Sequence, residues 1–189
     1  MVDAPQYPTI NREAPNILVT GTPGVGKSTL CKKLAEVTAL RWLEISKIAK
    51  DNNCLQEYDP EFDTHVLDED KLMDGLEEVM SIGGNIVDYH SSEFFPERWF
   101  DVVFVLTADT SSLYDRLNLR GYSGKKLESN IECEIFKICL DEAKQFYRTQ
   151  IVHSLESINE AQLEENVQKI CQWIQMWLNN REMNPQLNS

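Results

Sequence analysis

The chain has 189 residues, a formal net charge of −13 at pH 7, 42% hydrophobic residues and 9% aromatic residues. This length predicts one domain, since domains commonly hold about 100–200 residues, and no apolar run approaches the roughly 20 residues that cross a bilayer. The negative charge opposes strong direct binding to nucleic acid, whose phosphates attract clustered Lys and Arg, and it favours a basic protein partner.

The first residues, 1–15, carry neither the apolar core of a secretory signal nor the basic bias of a transit peptide. We expect this segment to be flexible, the folded domain to occupy residues 16–179, and a flexible tail to follow over 180–189. The expected protein is soluble and makes no contact with a membrane, which leaves the cytosol or the nucleus as its location.

A phosphate-binding motif follows the first predicted strand, residues 16–20. It reads G-x-x-x-x-G-K-S from Gly21 to Ser28, and a helical pattern over 29–39 follows it. Glycines let such a loop turn tightly and point backbone N–H groups at phosphate oxygens, while the helix adds its positive amino end. In this motif Lys27 reaches the terminal phosphates and Ser28 is a ligand of Mg²⁺. The spacing predicts binding of a nucleoside triphosphate or a close analogue.

Short β-rich runs alternate with helical patterns along the rest of the chain. Strands separated by helices predict an α/β fold with a parallel sheet that is covered on both faces. The run V-V-F-V-L at 102–106 is apolar throughout, as a central parallel strand requires. The predicted strands are 16–20, 41–45, 85–89 and 101–107, with 151–154 as a fifth candidate.

Acidic residues mark the starts of two predicted helices. Leu72 and Leu76 follow the acidic residues 68–70 at helical spacing, and Leu113 follows Asp109 in the same way. Acidic side chains favour the first turn of a helix because they complement its positive end. The sequence therefore predicts that helices begin at these two places.

A predicted strand that ends in an acid accompanies the phosphate loop, since residues 85–88 read N-I-V-D. Asp88 is predicted to hold Mg²⁺ through water, and the alternative is a carboxylate that only caps a turn. His90 follows at the carboxyl end of this strand, where ligands of open α/β sheets bind. Its imidazole could position water, donate to a phosphate or move a proton, or it could have no chemical role.

Positive charge is concentrated in residues 116–126 of this otherwise acidic chain. Arg116 and Arg120 lie four apart at the end of a predicted helix, and Lys125 and Lys126 follow. Phosphoryl transfer needs cations that stabilise the charge on the transferred group. The segment is predicted to be a short lid that closes over ATP. A solvated basic turn that satisfies helix carbonyls is the alternative.

A capping-box pattern, S-N-I-E at 129–132, predicts the start of a further helix. Apolar residues follow at spacings of three and four, which predicts a stripe that faces the core: Cys133, Phe136, Leu140, Ala143 and Tyr147. In the last helix the same periodicity assigns Trp173 and Trp177 to packing rather than to a ligand-binding surface.

The five cysteines form an odd number and contain no C-x-x-C pair. Several fall on apolar helix faces, so they are predicted to be reduced core thiols rather than metal ligands. They are Cys31, Cys54, Cys133, Cys139 and Cys171.

Four sequence strings together resemble the adenylate kinase isoenzyme 6 family, also described as coilin-interacting nuclear ATPases. They are GTPGVGKS at 21–28, VDYH at 87–90, FFPERW at 94–99 and LNLRGY at 117–122, and the likeness covers about residues 16–178. The phosphate loop alone would not select this family. The strings at 87–90 and 94–99 do.

The resemblance implies a P-loop nucleoside monophosphate kinase with α/β/α layers, a five-stranded parallel sheet, a monophosphate-binding segment near 44–67 and a short lid near 119–129. It further implies reversible transfer of the γ-phosphate of ATP to AMP, ATP hydrolysis, and a role in small-subunit ribosomal RNA maturation. The implied partners are ATP with Mg²⁺, AMP, a basic small-subunit ribosomal protein, the pre-40S particle and coilin.

The motif and the matching family positions together give the expected site residues. For ATP they are Gly21, Gly24, Val25, Gly26, Lys27, Ser28, Thr29 and Arg120. The residues expected at the transferred phosphate are Lys27, Asp88, His90, Arg116 and Arg120, and the expected ligands of Mg²⁺ are Ser28 and, through water, Asp88.

The monophosphate segment departs from the family pattern. Relatives tend to carry a Gly-Asp pair and then an arginine where this chain reads Ser46-Lys47 and Lys50, whereas Ser28 in place of a threonine keeps the hydroxyl. Lysine attracts a phosphate as a point charge but cannot form the bidentate fork of arginine. The acceptor therefore stays open between AMP and another small metabolite. A nucleotide-switched assembly factor with little AMP turnover is a further reading.

Overall fold

A five-stranded parallel sheet is the centre of the fold, in a computed structural model that describes residues 12–61 and 64–183. The strands within these residues are β1 (Ile17–Thr20), β2 (Arg41–Glu44), β3 (Leu55–Asp59), β4 (Thr64–Leu67), β5 (Asn85–Asp88), β6 (Val102–Thr107) and β7 (Val152–Glu156). The central sheet has the order β2-β5-β1-β6-β7, and all its neighbours pair in parallel. Strands β3 and β4 form a separate antiparallel pair.

Helices cover both faces of this sheet. In the described ranges they are α1 (Lys27–Val37), α2 (Ile45–Asp51), α3 (Glu69–Ile82), α4 (Thr110–Leu119), α5 (Gly124–Ile135), α6 (Ile138–Phe146) and α7 (Glu160–Met183). Successive side chains of a strand point to opposite faces, so Ile17 and Val19 join one buried cluster and Leu18 joins the other. The predicted α/β fold with a sheet covered on both faces is confirmed.

Most predicted elements lie within one or two residues of the observed bounds. The two acidic helix starts are also present, because Asp68 accepts a hydrogen bond from Lys71 N and Asp109 accepts one from Ser112 N. Helix α2 and the hairpin of β3 and β4 were not among the predicted elements.

The capping-box prediction at 129–132 is wrong. Helix α5 begins at Gly124 and runs through Ser129, so the S-N-I-E string lies in the helix interior. The helix then breaks at Lys137, whose φ is 54°, and α6 begins in a new direction. Because of this break Phe136 points outward and is 67% exposed, whereas Glu134 is buried. The last helix follows its pattern: Trp173 packs edge-on against Phe104 with ring centroids 6.3 Å apart.

A set of polar side chains joins the amino ends of the central strands, and we call it the amino-edge clamp (Arg12, Asn16, Asn85 and Asp101). The Arg12 guanidinium is buried and donates to the carbonyl oxygens of Trp99 at 2.5 Å and of Arg98 at 2.8 Å. Asn85 Nδ2 donates to Asn16 Oδ1 at 2.9 Å, and Asn16 N donates to Asp101 Oδ2 at 2.8 Å. The clamp therefore ties β1, β5 and β6 together at their starts.

The folded part of the chain extends past the predicted domain limits at both ends. Arg12 belongs to the segment expected to be flexible, 1–15, yet its side chain is packed; residues 1–11 lie outside the described residues. At the other end, α7 continues to Met183, past the predicted limit at 179, and 184–189 lie outside the described residues. No helix in the described part of the chain is long and apolar enough to cross a membrane.

Candidate active site

A cleft of about 560 Å³ opens at the carboxyl edge of β1 and β5. Its walls come from the phosphate loop, the end of β5, the segment 44–67, and the turn and helix that follow α4. The residues that line it include Lys27, Ser28, Asp88, His90, Arg120 and Cys133. This is the edge at which ligands of open α/β sheets bind.

Glycine is required at two positions of the phosphate loop. Gly21 has a φ of 134°, and a Cβ there would lie 2.4 Å from the Leu106 carbonyl oxygen of the adjacent strand. Gly24 has a φ of 94°, and a Cβ there would meet the side chains of Leu113 and Leu117 at 2.8 and 2.9 Å. The loop therefore packs directly on β6 and α4. The turn at the amino end of α1 is left facing the cleft.

The Lys27 side chain is buried inside this loop. Its ammonium donates to the carbonyl oxygens of Gly21 at 2.7 Å and Thr22 at 3.1 Å. Burial lowers the pKa of Lys27, while the charge of Asp88 acts in the opposite direction. The cation is thus held beside the loop's amide groups, where a phosphate would collect charge-assisted hydrogen bonds.

Ser28 and Asp88 bring a hydroxyl and a carboxylate together at the cleft. The two side chains are hydrogen-bonded, and Trp42 Nε1 donates to Asp88 Oδ2 at 3.3 Å. Burial raises the pKa of Asp88, and its bonds and Lys27 oppose that rise. Mg²⁺ that accompanies a nucleotide is bound by oxygen ligands, such as hydroxyl and carboxylate groups, beside the phosphates. Ser28 and Asp88 therefore fit the predicted metal.

His90 lies in the cleft two residues beyond Asp88. Its ring packs against that of Tyr89, with centroids 4.3 Å apart. The residue is exposed at the cleft. Desolvation by the neighbouring groups, together with the charge of Lys27, lowers the pKa of His90 to about 4. The ring is therefore neutral near pH 7 and can accept one hydrogen bond while donating another.

The two arginines of the predicted lid have different positions. Arg120, which follows α4, lines the cleft together with Tyr122 and Lys126. Arg116 does not line it: its guanidinium donates to the carbonyl oxygens of Ser157 at 2.9 Å and Ile158 at 2.5 Å. Its predicted role at the transferred phosphate is corrected to one of fastening α4 to the connection between β7 and α7.

Two residues predicted to bind ATP, Gly21 and Val25, are absent from the lining of the cleft. Val25 is fully buried in the core and Gly21 packs on β6, so both shape the loop rather than face the cleft. Lys47 and Lys50 are exposed on α2 and do not line the cleft either, whereas Ser46 does. Gly24, Gly26 and Thr29, predicted for ATP, are in the lining.

Glu134 is a site residue that sequence reasoning missed. It is 3% exposed, and its Oε2 accepts the hydroxyl of Thr22 in the phosphate loop at 2.7 Å. Its Oε1 accepts Ala108 N, just after β6, at 3.0 Å and Lys137 Nζ at 2.7 Å. The carboxylate thus joins helix α5 to the phosphate loop and the central sheet. A glutamate within an apolar stripe was the available signal, but it is weak because most such glutamates are solvated.

The sequence matches a family model described as an AAA domain over residues 17–137. It is also similar to the adenylate kinase isoenzyme 6 homolog of Drosophila melanogaster, with 51% identity over 86% of this chain and 93% of that protein. The homolog of the same name from Caenorhabditis elegans is 50% identical over 85% of this chain and 90% of its own length.

Among solved structures the fold is similar to that of a shikimate kinase from Acinetobacter baumannii in complex with shikimate. The TM-score is 0.58 at 19% identity, covering 86% of this chain and 94% of the other. At this identity the likeness concerns the fold, which is that of a P-loop kinase.

Replacing Glu134 with alanine should weaken both the fold and the phosphate loop. The change leaves Ala108 N–H and the Thr22 hydroxyl without their acceptor, and each such loss costs about 1–3 kcal/mol. We expect the free energy of unfolding in urea to fall by about 2–4 kcal/mol and ATP affinity to fall about tenfold. Glu134→Gln, which keeps one acceptor oxygen, should lose less.

Glu132→Ala is the matched control, since Glu132 is exposed on the same helix. It should stay within about 0.5 kcal/mol of the parent protein. Equal free energies of unfolding and equal ATP affinities for the Glu134 and Glu132 alanine variants would show that the Glu134 contacts contribute to neither.

Proposed function

This chain belongs to the adenylate kinase isoenzyme 6 family, and we propose that it transfers the γ-phosphoryl group of ATP to AMP, forming two molecules of ADP. One observation carries the proposal: the phosphate loop, Asp88, His90 and Arg120 line a single cleft that also reaches the segment 44–67. A donor and an acceptor phosphate therefore have room on the two sides of the same polar groups. Nucleotide kinase activity agrees with the names of the relatives.

Phosphoryl transfer requires mainly positioning and charge stabilisation, because the protein has little covalent work to do. Lys27 and Arg120 both line the cleft and supply positive charge to it. Ser28 and Asp88 are the residues that would hold Mg²⁺, which when bound neutralises phosphate charge. The neutral imidazole of His90 hydrogen-bonds to a phosphate oxygen or to the attacking group without adding charge.

The acceptor lies on the side formed by the segment 44–67 in this proposal. Glu44, Ser46 and Thr64 line that side and offer one carboxylate and two hydroxyls. Water that takes the place of the acceptor gives ATP hydrolysis, which we include as a second activity of the same cleft.

The reaction is tested by incubating purified protein with ATP, Mg²⁺ and a panel of nucleoside monophosphates, and separating the products by chromatography. We expect ADP formation to be fastest with AMP. Lys27→Met should lower the rate about 100-fold or more, since it removes a cation from the charge that develops during transfer.

Lys33→Met is the control for that variant, because Lys33 lies on the same helix but pairs with Glu160 and Glu164 on the surface. It should keep the parent rate. ATP hydrolysis without any ADP gained from AMP would reject the kinase proposal and leave an ATPase.

The pKa of His90 gives a prediction for the pH dependence. The value of kcat/KM reports ionisations of the free enzyme, and a pKa of about 4 keeps His90 neutral above about pH 5. Profiles of the parent and of His90→Asn should therefore have the same shape between about pH 5.5 and 8, with the variant lower throughout. His153→Asn, on an exposed position of β7, is the control.

An acid limb near the ordinary histidine pKa of about 6.5 that disappears in His90→Asn would contradict this. It would mean that His90 acts as a cation or exchanges a proton in this range.

A second candidate function is a nucleotide-switched contact with a basic small-subunit ribosomal protein in the pre-40S particle, with coilin as a further partner, in the nucleus and cytoplasm. The net charge of −13 favours a basic partner. Helix α5 favours a switch, because it lines the cleft and also contacts the phosphate loop through Glu134.

Pull-down of the basic ribosomal protein by this chain, with and without MgATP, tests the switch. We expect at least a fivefold change in the bound fraction, and no change with Lys27→Met. An equal bound fraction with and without MgATP would favour a kinase without a nucleotide-dependent partner.

A further inference from the structure

Two cysteine side chains meet in the lining of the cleft. Cys133 Sγ and Cys139 Sγ are 3.6 Å apart, and both residues line the cleft beside the phosphate loop and His90. We propose that this pair is an oxidisable dithiol, modified by hydroperoxides to a disulfide that weakens nucleotide binding. The prediction that the cysteines are reduced core thiols does not describe Cys133 and Cys171, which are only partly buried.

The contact depends on the helix break at Lys137. In one continuous helix, residues six apart would be separated by about 9 Å along the axis and would point in different directions. The left-handed backbone at Lys137 instead turns α6 so that its first turn lies against the end of α5. The fold therefore brings together two thiols that helical spacing alone would keep apart.

The two thiols differ in a way that suits stepwise oxidation. Cys133 is open to the cleft, and the hydrogen bond from Cys139 lowers the pKa of Cys133 to about 7. The same hydrogen bond, together with burial, raises the pKa of Cys139. Cys133 is thus the thiol that ionises first and meets a reagent from the cleft, and Cys139 is the thiol that reacts second.

The chemistry balances with a hydroperoxide as the oxidant. The Cys133 thiolate attacks the peroxide O–O bond, which breaks as an S–O bond forms, and the released alkoxide or hydroxide takes up a proton. The Cys139 sulfur then attacks the sulfenic sulfur, an S–S bond forms, and hydroxide leaves with the Cys139 proton as water. Two thiols lose two electrons in total, and the peroxide gains them.

Closing the disulfide must move groups that hold the nucleotide site. The sulfur atoms have to approach from 3.6 Å to about 2.05 Å. Thr22 Oγ1 lies 3.8 Å from Cys133 Sγ and 3.9 Å from Cys139 Sγ, and Cys139 Sγ lies 3.8 Å from the His90 carbonyl oxygen. Residue Glu134, which holds Thr22, is next to Cys133 in the chain. Formation of the disulfide therefore displaces groups in the phosphate loop and at the end of β5.

The bond can be detected without an activity assay. Trypsin cuts after Lys126, Lys137 and Lys144, so the two cysteines fall in separate peptides, 127–137 and 138–144. After treatment of the folded protein with hydrogen peroxide, mass spectrometry without reduction should show these peptides joined, and dithiothreitol should separate them. Their absence, while peroxide modifies Cys171 on α7, would overturn the proposal.

The consequence is measured by ATP binding in calorimetry before and after oxidation. We expect the affinity of the parent to fall about tenfold and to return with dithiothreitol. Each variant is compared with its own untreated form: Cys133→Ser and Cys139→Ser should show the same ATP affinity before and after peroxide, whereas Cys171→Ser should keep the reversible response of the parent. A cross-link that leaves ATP affinity unchanged would overturn the effect on the site. Because these readouts use no AMP, their failure is distinct from failure of the kinase proposal.

Discussion

The burial of the Lys27 ammonium is the constraint on which the rest of the cleft depends. A cation inside a protein needs fixed partners, and here the backbone carbonyls of the phosphate loop supply them. The loop can offer those carbonyls only in a left-handed conformation at Gly21 and Gly24, which in turn presses it against β6 and α4. Glu134 then fixes Thr22 from outside the loop. Helix α5, the loop and the sheet are consequently parts of one hydrogen-bonded structure.

The features that the sequence predicted well are those set by local chemistry. Apolar strands such as 102–107, the acidic caps at Asp68 and Asp109, and the glycine spacing of the phosphate loop all depend on residues close together in the chain. The parallel direction of the strands follows from the alternation of strands and helices. The cleft residues near Lys27 and Asp88 could be predicted for the same reason, since each set lies at the end of a strand or follows one.

The remaining features depend on contacts that sequence spacing does not encode. A positive φ at the non-glycine residue Lys137 breaks a stripe that reads as one helix, and this turns Phe136 outward and Glu134 inward. Arg116 and Arg120 are both cations near the end of α4, and their spacing in the sequence does not distinguish them. Only Arg120, which follows the helix, lines the cleft. The hairpin of β3 and β4 exposes much of its surface, including Tyr58 and Val66, so it carries no buried pattern to recognise.

The amino-edge clamp stabilises the sheet without taking part in the cleft. Buried hydrogen bonds from Arg12 and Asn16 fix the starts of β1, β5 and β6 to one another, far from the nucleotide cleft. Side-chain hydrogen bonds therefore hold these three strands together at this edge, in addition to the hydrogen bonds of the sheet itself. None of the four clamp residues lines the cleft. A substitution in the clamp would therefore disturb assembly of the sheet before it altered any group that faces the cleft.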